Sequence, residues 1–304
     1  MKRTMLLLQA MRPKHWTKNV LLFGGIAFSK HLFEADLFLR SSLGFLVFCV
    51  LSGFVYVVND VTDIEEDKRH PKKRYRPIAS GALSPSFAIL AASVLAAIAL
   101  VVGFWLSTGF GIVSALYLAV MMAYSYILKH IVLLDIMTIS AGFVIRALAG
   151  AIVIRVEFSS WLIACTIFLS LFLAIAKRRH ELVSLGDNAA AHRFILKEYT
   201  PQLLDQMISI VTAATIMAYS LYTVSPEIAQ KFGTRYLFIT IPFVLYGLFR
   251  YLYIVYRKEM GGSPAQILLE DTPLIIDILL WIICILTLVY WPGSHPLWIT
   301  QPPP

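Results

Sequence analysis

The sequence predicts an all-α integral membrane protein of nine transmembrane helices with a cytoplasmic N-terminus. Three observations carry that expectation. Apolar residues make up 59% of the 304-residue chain, charged residues only 14%, and the mean hydropathy is +0.75. A soluble domain of this size carries roughly 25% charged residues. The apolar residues fall in blocks near the roughly 20 residues that a helix needs to cross the hydrocarbon core. The cations concentrate in alternate connections between those blocks.

Taken in order, the blocks predict helices over 16–33, 42–58, 87–106, 110–128, 131–154, 158–176, 203–224, 236–256 and 274–291. Lys30 and His31 intrude on the end of the first. Ahead of it, Met5 to Met11 suits a short helix lying in the interface. Arg12-Pro13-Lys14 follows directly, with no small-residue cleavage site, so no cleavable signal is expected. Cys49, Cys165 and Cys284 sit in apolar blocks without metal-ligand spacing and read as buried hydrophobes. The chain is expected to form a single polytopic domain.

Arg12, Lys14, Lys18, the basic run from Lys68 to Arg76, Lys129, Lys177 to Arg179, and Arg257 all fall on one side. The other side holds only Lys30, Arg40, Arg155, Lys231 and Arg235. This bias predicts an inner (plasma) membrane protein whose two long loops, 59–86 and 177–201, face the cytoplasm. The net charge of +8 therefore reflects orientation and contact with lipid headgroups rather than nucleic acid.

Asn59-Asp60-Val61-Thr62-Asp63-Ile64-Glu65-Glu66-Asp67 follows directly on an apolar helix. If the helix continues, Asn59, Asp63 and Asp67 advance four residues at a time and drift only about 40° per step. Asp60 lies on the next ridge. Crowded carboxylates repel unless a cation sits among them, and hard oxygen donors shared with phosphates suit Mg²⁺. A solvated acidic turn is the alternative. The segment from Lys68 to Arg76 comes next, and metal followed by cations is what a diphosphate needs. Lys72 and Arg76, each beside a proline, are the substrate-binding candidates there.

Three further groups carry charge where the chain meets the bilayer. Lys18 and Asn19, beyond the interfacial Trp16, stand where they reach a phosphate or simply snorkel. Tyr126 and Lys129 precede Asp135 and Arg146, which are eleven residues apart and share a helix face. Charges at such depth line a polar cavity or form a structural pair. Lys177-Arg178-Arg179-His180-Glu181 reads as a stop-transfer cluster or a phosphate site. The loop Gly261-Gly262-Ser263-Pro264, with Glu270 and Asp271 beyond, is expected to fold over the same face.

The pattern N-D-x-x-D-x-x-x-D over 59–67, with Arg76-Pro77 and Gly81, resembles the UbiA superfamily of intramembrane prenyltransferases. The resemblance covers essentially the whole chain and implies helices around a central cavity, capped at the cytoplasmic face and open laterally to lipid. Within the superfamily the chain is most similar to the decaprenyl-phosphate phosphoribosyltransferase branch. Arg12 to Asn19, His70-Pro71-Lys72, Asp135 with Gly142 to Arg146, and Lys177 to Leu182 carry that likeness. Ordinary prenyltransferases have a second Asp-rich motif after the sixth helix. Here that stretch holds Glu181 and Asp187 but no such motif. Its cations suit one more phosphate, such as the 5-phosphate of phosphoribosyl diphosphate.

The resemblance thus implies transfer of 5-phosphoribosyl from phosphoribosyl diphosphate to a polyprenyl phosphate, with release of pyrophosphate. Asn59, Asp60, Asp63 and Asp67 would hold Mg²⁺. Lys18, Lys129 and Arg146 would orient phosphates, and Lys72, Lys177 and Arg178 would take the 5-phosphate. A homotrimer is implied as well. Prenyl transfer to an aromatic or isoprenoid acceptor is the alternative, and an anionic-lipid transporter is a second, though no inverted repeat supports it.

Overall fold

The computed structural model describes residues 2–71, 73–157, 159–185, 194–257, 267 and 270–290. All regular elements among them are helical. Among the described residues eight helices are long and apolar enough to cross a membrane, four in each of two compact units, residues 1–158 and 159–304.

The first unit begins with α1 (Lys2–Ala10). Leu7 and Ala10 are buried with Met11 against Val57, Ile78, Leu83 and Ala88, while Met5 is exposed. That split is what an interfacial helix requires. The segment expected to be the first span takes another form. It is a 3-10 run, Pro13–Leu22, followed by the five-residue α2 (Phe23–Ala27), and neither is long enough to count among the eight. Its reason is close packing. A Cβ on Gly150 would stand 2.0 Å from the Leu22 carbonyl oxygen, and one on Gly25 would meet the Gly150 and Ala151 backbone at 2.7 Å. Backbone meets backbone there, as small residues permit in membrane bundles.

The four spans of this unit are α3 (Ala35–Thr62), α5 (Pro85–Leu106), α6 (Thr108–Tyr126) and α7 (Leu134–Val153), with the short α4 (Ile64–Arg69) after α3. At 28 residues α3 is far longer than the expected 42–58 segment. Its extension carries Asn59 and Asp60. Only Ser107 separates α5 from α6, and its hydroxyl caps the next helix by accepting from the Phe110 N–H at 3.1 Å. Phe48, Phe110, Tyr117, Leu51 and Ile26 fill the core between these helices.

In the second unit, α8 (Ser160–Leu185) packs against α9 (Pro201–Val224), which leads through α10 (Pro226–Phe232) to α11 (Ile241–Arg257) and α12 (Thr272–Tyr290). The helix α8 does not stop at its basic residues: Lys177, Arg178 and Arg179 ride on a helical extension that continues to Leu185. The loop 261–264, Asp187 and Lys72 lie outside the described residues.

Candidate active site

The acidic run is built at the end of α3. The backbone keeps the helical step through a break at Asp63: its N–H bonds the Asn59 carbonyl at 3.0 Å, and the Asp67 N–H bonds the Asp63 carbonyl at 2.8 Å. Asn59, Asp63 and Asp67 thus advance four residues at a time, as the spacing predicts. Asp60 and Asp67 are each 1% exposed, whereas the Asp63 side chain is 32% exposed.

Two arginines hold the buried pair. Arg12 pairs with Asp60 Oδ1. Arg76 Nη1 reaches the same Oδ1 at 3.1 Å and also pairs with Asp67 Oδ2. Lys73 Nζ lies 3.9 Å from the other Asp67 oxygen. Each arginine is aimed by its backbone. Arg76 opens a turn in which the Ser80 N–H bonds the Arg76 carbonyl at 2.9 Å and the Leu83 N–H bonds the Pro77 carbonyl at 2.8 Å. The left-handed φ of +76° at Gly81 closes that turn. Ile78 and Leu83 bury it in the core that also holds α1. Arg12 stands in the left-handed region at φ 55°, ψ 67°, a conformation costing a non-glycine residue about 1–2 kcal/mol. The Asp60 pair and stacking of its guanidinium 4.8 Å from the Tyr56 ring centroid offset that cost.

Asp63 faces a different cation. Lys129, on the 3-10 turn after α6, places Nζ 3.4 Å from Asp63 Oδ1. Next to it, Asn59 Oδ1 is buried and accepts no hydrogen bond. A buried acceptor without a donor is costly unless something else satisfies it. Among the described residues no three His, Cys, Asp or Glu side chains gather closely enough to hold a metal ion. Mg²⁺ does not need such a cage, because it binds through one or two carboxylates together with waters and substrate phosphates. The unpartnered Asn59 oxygen and the half-exposed Asp63 carboxylate fit a cation of that kind. Asp60 and Asp67 stand beside it, tied to arginines.

Deeper along the helices lies a group that the sequence only partly exposes. Arg146 is 6% exposed on α7. Its Nε donates to Asn19 Oδ1 at 2.7 Å, Nη1 to the Gly142 carbonyl at 2.8 Å and Nη2 to the Tyr117 hydroxyl at 2.6 Å. Asn19 in turn donates to Ser52 Oγ at 3.3 Å and Cys49 Sγ at 3.4 Å. Asp135 is fully buried in the first turn of α7. Lys18 is half-buried just outside the eight spans. Burial, then repulsion from Arg146, brings its pKa down from 10.5 to about 8, and Tyr124 partly opposes this. Tyr126, the tyrosine singled out from the sequence, is 54% exposed. The buried Tyr117 is the one that meets Arg146. Tyr117 sits in an apolar run, and nothing in its spacing marks it.

In the second unit, Arg178 is 1% exposed and pairs with Glu181, whose other oxygen lies 3.7 Å from Lys177 Nζ. Arg179 pairs with Asp205 and stacks 3.9 Å from the Tyr256 ring. The cationic end of α8 is therefore paired, within the helix at Glu181 and with α9 at Asp205, rather than a loose anchor.

The sequence pattern of the UbiA prenyltransferase family matches residues 20–269. A decaprenyl-phosphate phosphoribosyltransferase of Mycolicibacterium smegmatis is 34% identical over 300 residues, covering 94% of this chain and 92% of that one. Its counterpart in Corynebacterium glutamicum is 32% identical, over 93% of this chain and 86% of the relative. Among solved structures, a UbiA homolog from Archaeoglobus fulgidus bound to GPP and Mg²⁺ superposes with a TM-score of 0.70. It shares 18% identity and covers 93% of this chain and 99% of its own, which speaks to the fold alone. Helical architecture, the position of the acidic ladder at the end of a long span and the match across most of the chain agree. This multi-pass membrane protein belongs to the UbiA prenyltransferase family.

Proposed function

We propose that the chain is a Mg²⁺-dependent membrane glycosyltransferase. It moves 5-phosphoribosyl from phosphoribosyl diphosphate to a polyprenyl phosphate and releases pyrophosphate. The observation that carries the reading is the pairing of an unpartnered buried oxygen, Asn59 Oδ1, with an Asp63 carboxylate faced by Lys129. Bound there, Mg²⁺ would neutralise the diphosphate and make it a better leaving group. Asn59 and Asp63 would supply oxygens to it, Asp67 stands beside them holding Arg76, and Lys129 would turn to a diphosphate oxygen. Asp60 keeps Arg12 and Arg76 in place beside them. No strong protein base is required, because a phosphate monoester has a second pKa near 6 and is already largely ionised at neutral pH.

Phosphoribosyl transfer is favoured over prenyl transfer by the stretch after the apolar part of α8. It offers Lys177, Arg178 and Arg179 with Glu181 and, further along the sequence, Asp187, not a second acidic ladder. The near full-length relatives named as phosphoribosyltransferases point the same way. The cation bias of the connections supports an N-terminus and active site at the cytoplasmic face of the inner membrane.

The test is direct. Purified protein receives Mg²⁺, a polyprenyl phosphate and phosphoribosyl diphosphate labelled in the ribose. A labelled product that partitions into organic solvent is expected. Absence of that product, with consumption of a prenyl diphosphate in the presence of an aromatic acceptor, would replace this reading by prenyl transfer.

A further inference from the structure

Among the described residues no acid neutralises the buried cation Arg146. Among the described residues its three hydrogen-bond acceptors are an amide oxygen, a backbone carbonyl and a phenol, all uncharged. A guanidinium has five N–H donors, so two remain to be matched. Its plane is fixed as well, with the guanidinium carbon 4.6 Å from the Tyr117 ring centroid and 5.7 Å from that of Phe143. Lys18 directly precedes Asn19, whose Oδ1 accepts from Arg146 Nε, so the chain carries it to the same group. Charges placed at depth in a membrane protein are expensive and mark a ligand path unless they pair with one another's opposites. A cation held at depth by neutral acceptors alone calls for an anion.

The geometry of displacement says which one. Attack at C1 of the ribose forms a bond from a phosphate oxygen to carbon while the bond from carbon to the diphosphate oxygen breaks. The electron pair leaves with pyrophosphate. Nucleophile and leaving group must lie on opposite sides of that carbon. The diphosphate is assigned to the helix end, at Asn59 and Asp63. Ser52, which supports Asn19, lies eight residues back along α3 from Asp60, or roughly 12 Å towards the bilayer interior at the helical rise. Arg40 lies in the opening turns of α3, so among the described cations of this unit Arg146 alone is carried near the middle of a span, with Lys18 one residue from its partner Asn19. A lipid phosphate comes from that side.

We propose that Arg146 and Lys18 form a second anion subsite, which takes the phosphate head of the polyprenyl acceptor, and that Tyr117 and Asn19 are positioning residues holding the guanidinium towards it. This rests on the phosphoribosyl-transfer reading above. Asn19 suits the part because both of its amide functions are committed: Oδ1 to Arg146, and Nδ2 to Ser52 and Cys49.

The test measures binding to the full-length protein in detergent, with farnesyl phosphate, farnesol and Mg²⁺–phosphoribosyl diphosphate as separate probes. Arg146→Gln should weaken farnesyl phosphate by ~10–100-fold, the range for losing charge-assisted hydrogen bonds. Farnesol and phosphoribosyl diphosphate should change by no more than about twofold, within the scatter expected for groups that do not touch the altered residue. Tyr117→Phe keeps the ring and removes only the acceptor. It should raise the KM for the lipid phosphate by about 5–10-fold, the loss of one hydrogen bond, with little change in kcat. If phosphoribosyl diphosphate loses affinity instead, or farnesol weakens as much as farnesyl phosphate, the subsite is overturned. Should Arg146→Gln fail to fold, Tyr117→Phe decides by the same criteria. The two readings also separate. A wild type that transfers no phosphoribosyl yet binds farnesyl phosphate through Arg146 keeps the subsite and loses the function. One that transfers phosphoribosyl while Arg146→Gln binds farnesyl phosphate normally loses the subsite alone.

Discussion

Lys129 Nζ lies 3.4 Å from Asp63 Oδ1 although 66 residues separate the two in sequence. The pair closes the ring from the end of α3 to the end of α6. It also divides the acidic run into two kinds of carboxylate. Asp60 and Asp67 are buried and tied to arginines, while Asp63 is partly exposed and faces a lysine that a phosphate can draw away.

Replacing Asp63 by alanine should therefore abolish transfer without unfolding the chain. Removal of one charge-stabilising group at a preorganised site costs about 10²–10³ in kcat. Loss of a metal donor should add a raised Mg²⁺ requirement. Rates measured across a Mg²⁺ titration, beside a melting curve, check both. A folded Asp63→Ala protein with wild-type rate at low Mg²⁺ would sink the metal assignment.

Asp60→Ala should behave differently. It strands Arg12 and leaves Arg76 with Asp67 alone beside a buried hole, and breaking a buried pair by removing one partner costs about 3–5 kcal/mol. Its melting temperature should fall on the order of 10 °C, well beyond that of Asp63→Ala. Equal stability of the two variants would show that Asp60 is not the anchor of these arginines.

The contrast between these carboxylates was only half legible in the sequence. Period and spacing place Asn59, Asp63 and Asp67 on one line, because helical geometry is local. Which of them meets Lys129 and which meets Arg12 depends on the turn at Arg76 and on the left-handed Arg12, both set by tertiary packing. Most spans were likewise legible to within a few residues, because hydropathy measures membrane burial directly. The first was not. Its helix is broken where Gly25 and Gly150 let two backbones touch, and hydropathy does not register contact between backbones. Tyr117 escaped for a related reason, since a phenol within an apolar run looks like core until its partner is seen.

That glycine contact yields a paired test. Gly150→Ala places a Cβ 2.0 Å from the Leu22 oxygen, a backbone atom that cannot swing aside. The 3-10 run must move off α7, and overpacking of this kind costs roughly 1–3 kcal/mol or more. Gly24, by contrast, has nothing within 4 Å of an added Cβ. Gly24→Ala should stay within about 0.5 kcal/mol of wild type. Thermal unfolding in detergent should separate the two, and a Gly24→Ala protein as unstable as Gly150→Ala would refute the contact.

The depressed pKa of Lys18 predicts a pH profile. At about 8 in the folded chain, the ammonium is mostly protonated at neutral pH and deprotonates as pH rises further. If it meets the acceptor phosphate, kcat/KM for the lipid should fall on the alkaline side with that ionisation. Lys18→Arg, which stays charged, should move the fall to higher pH. Stability runs the opposite way. The folded value lies below the ordinary 10.5, so the unfolded chain binds more protons between about 8 and 10.5. Folding is then favoured as pH rises through that window. Activity lost there with no drop in melting temperature would come from the lysine, whereas a parallel loss of both would assign the fall to unfolding and remove Lys18 from the site.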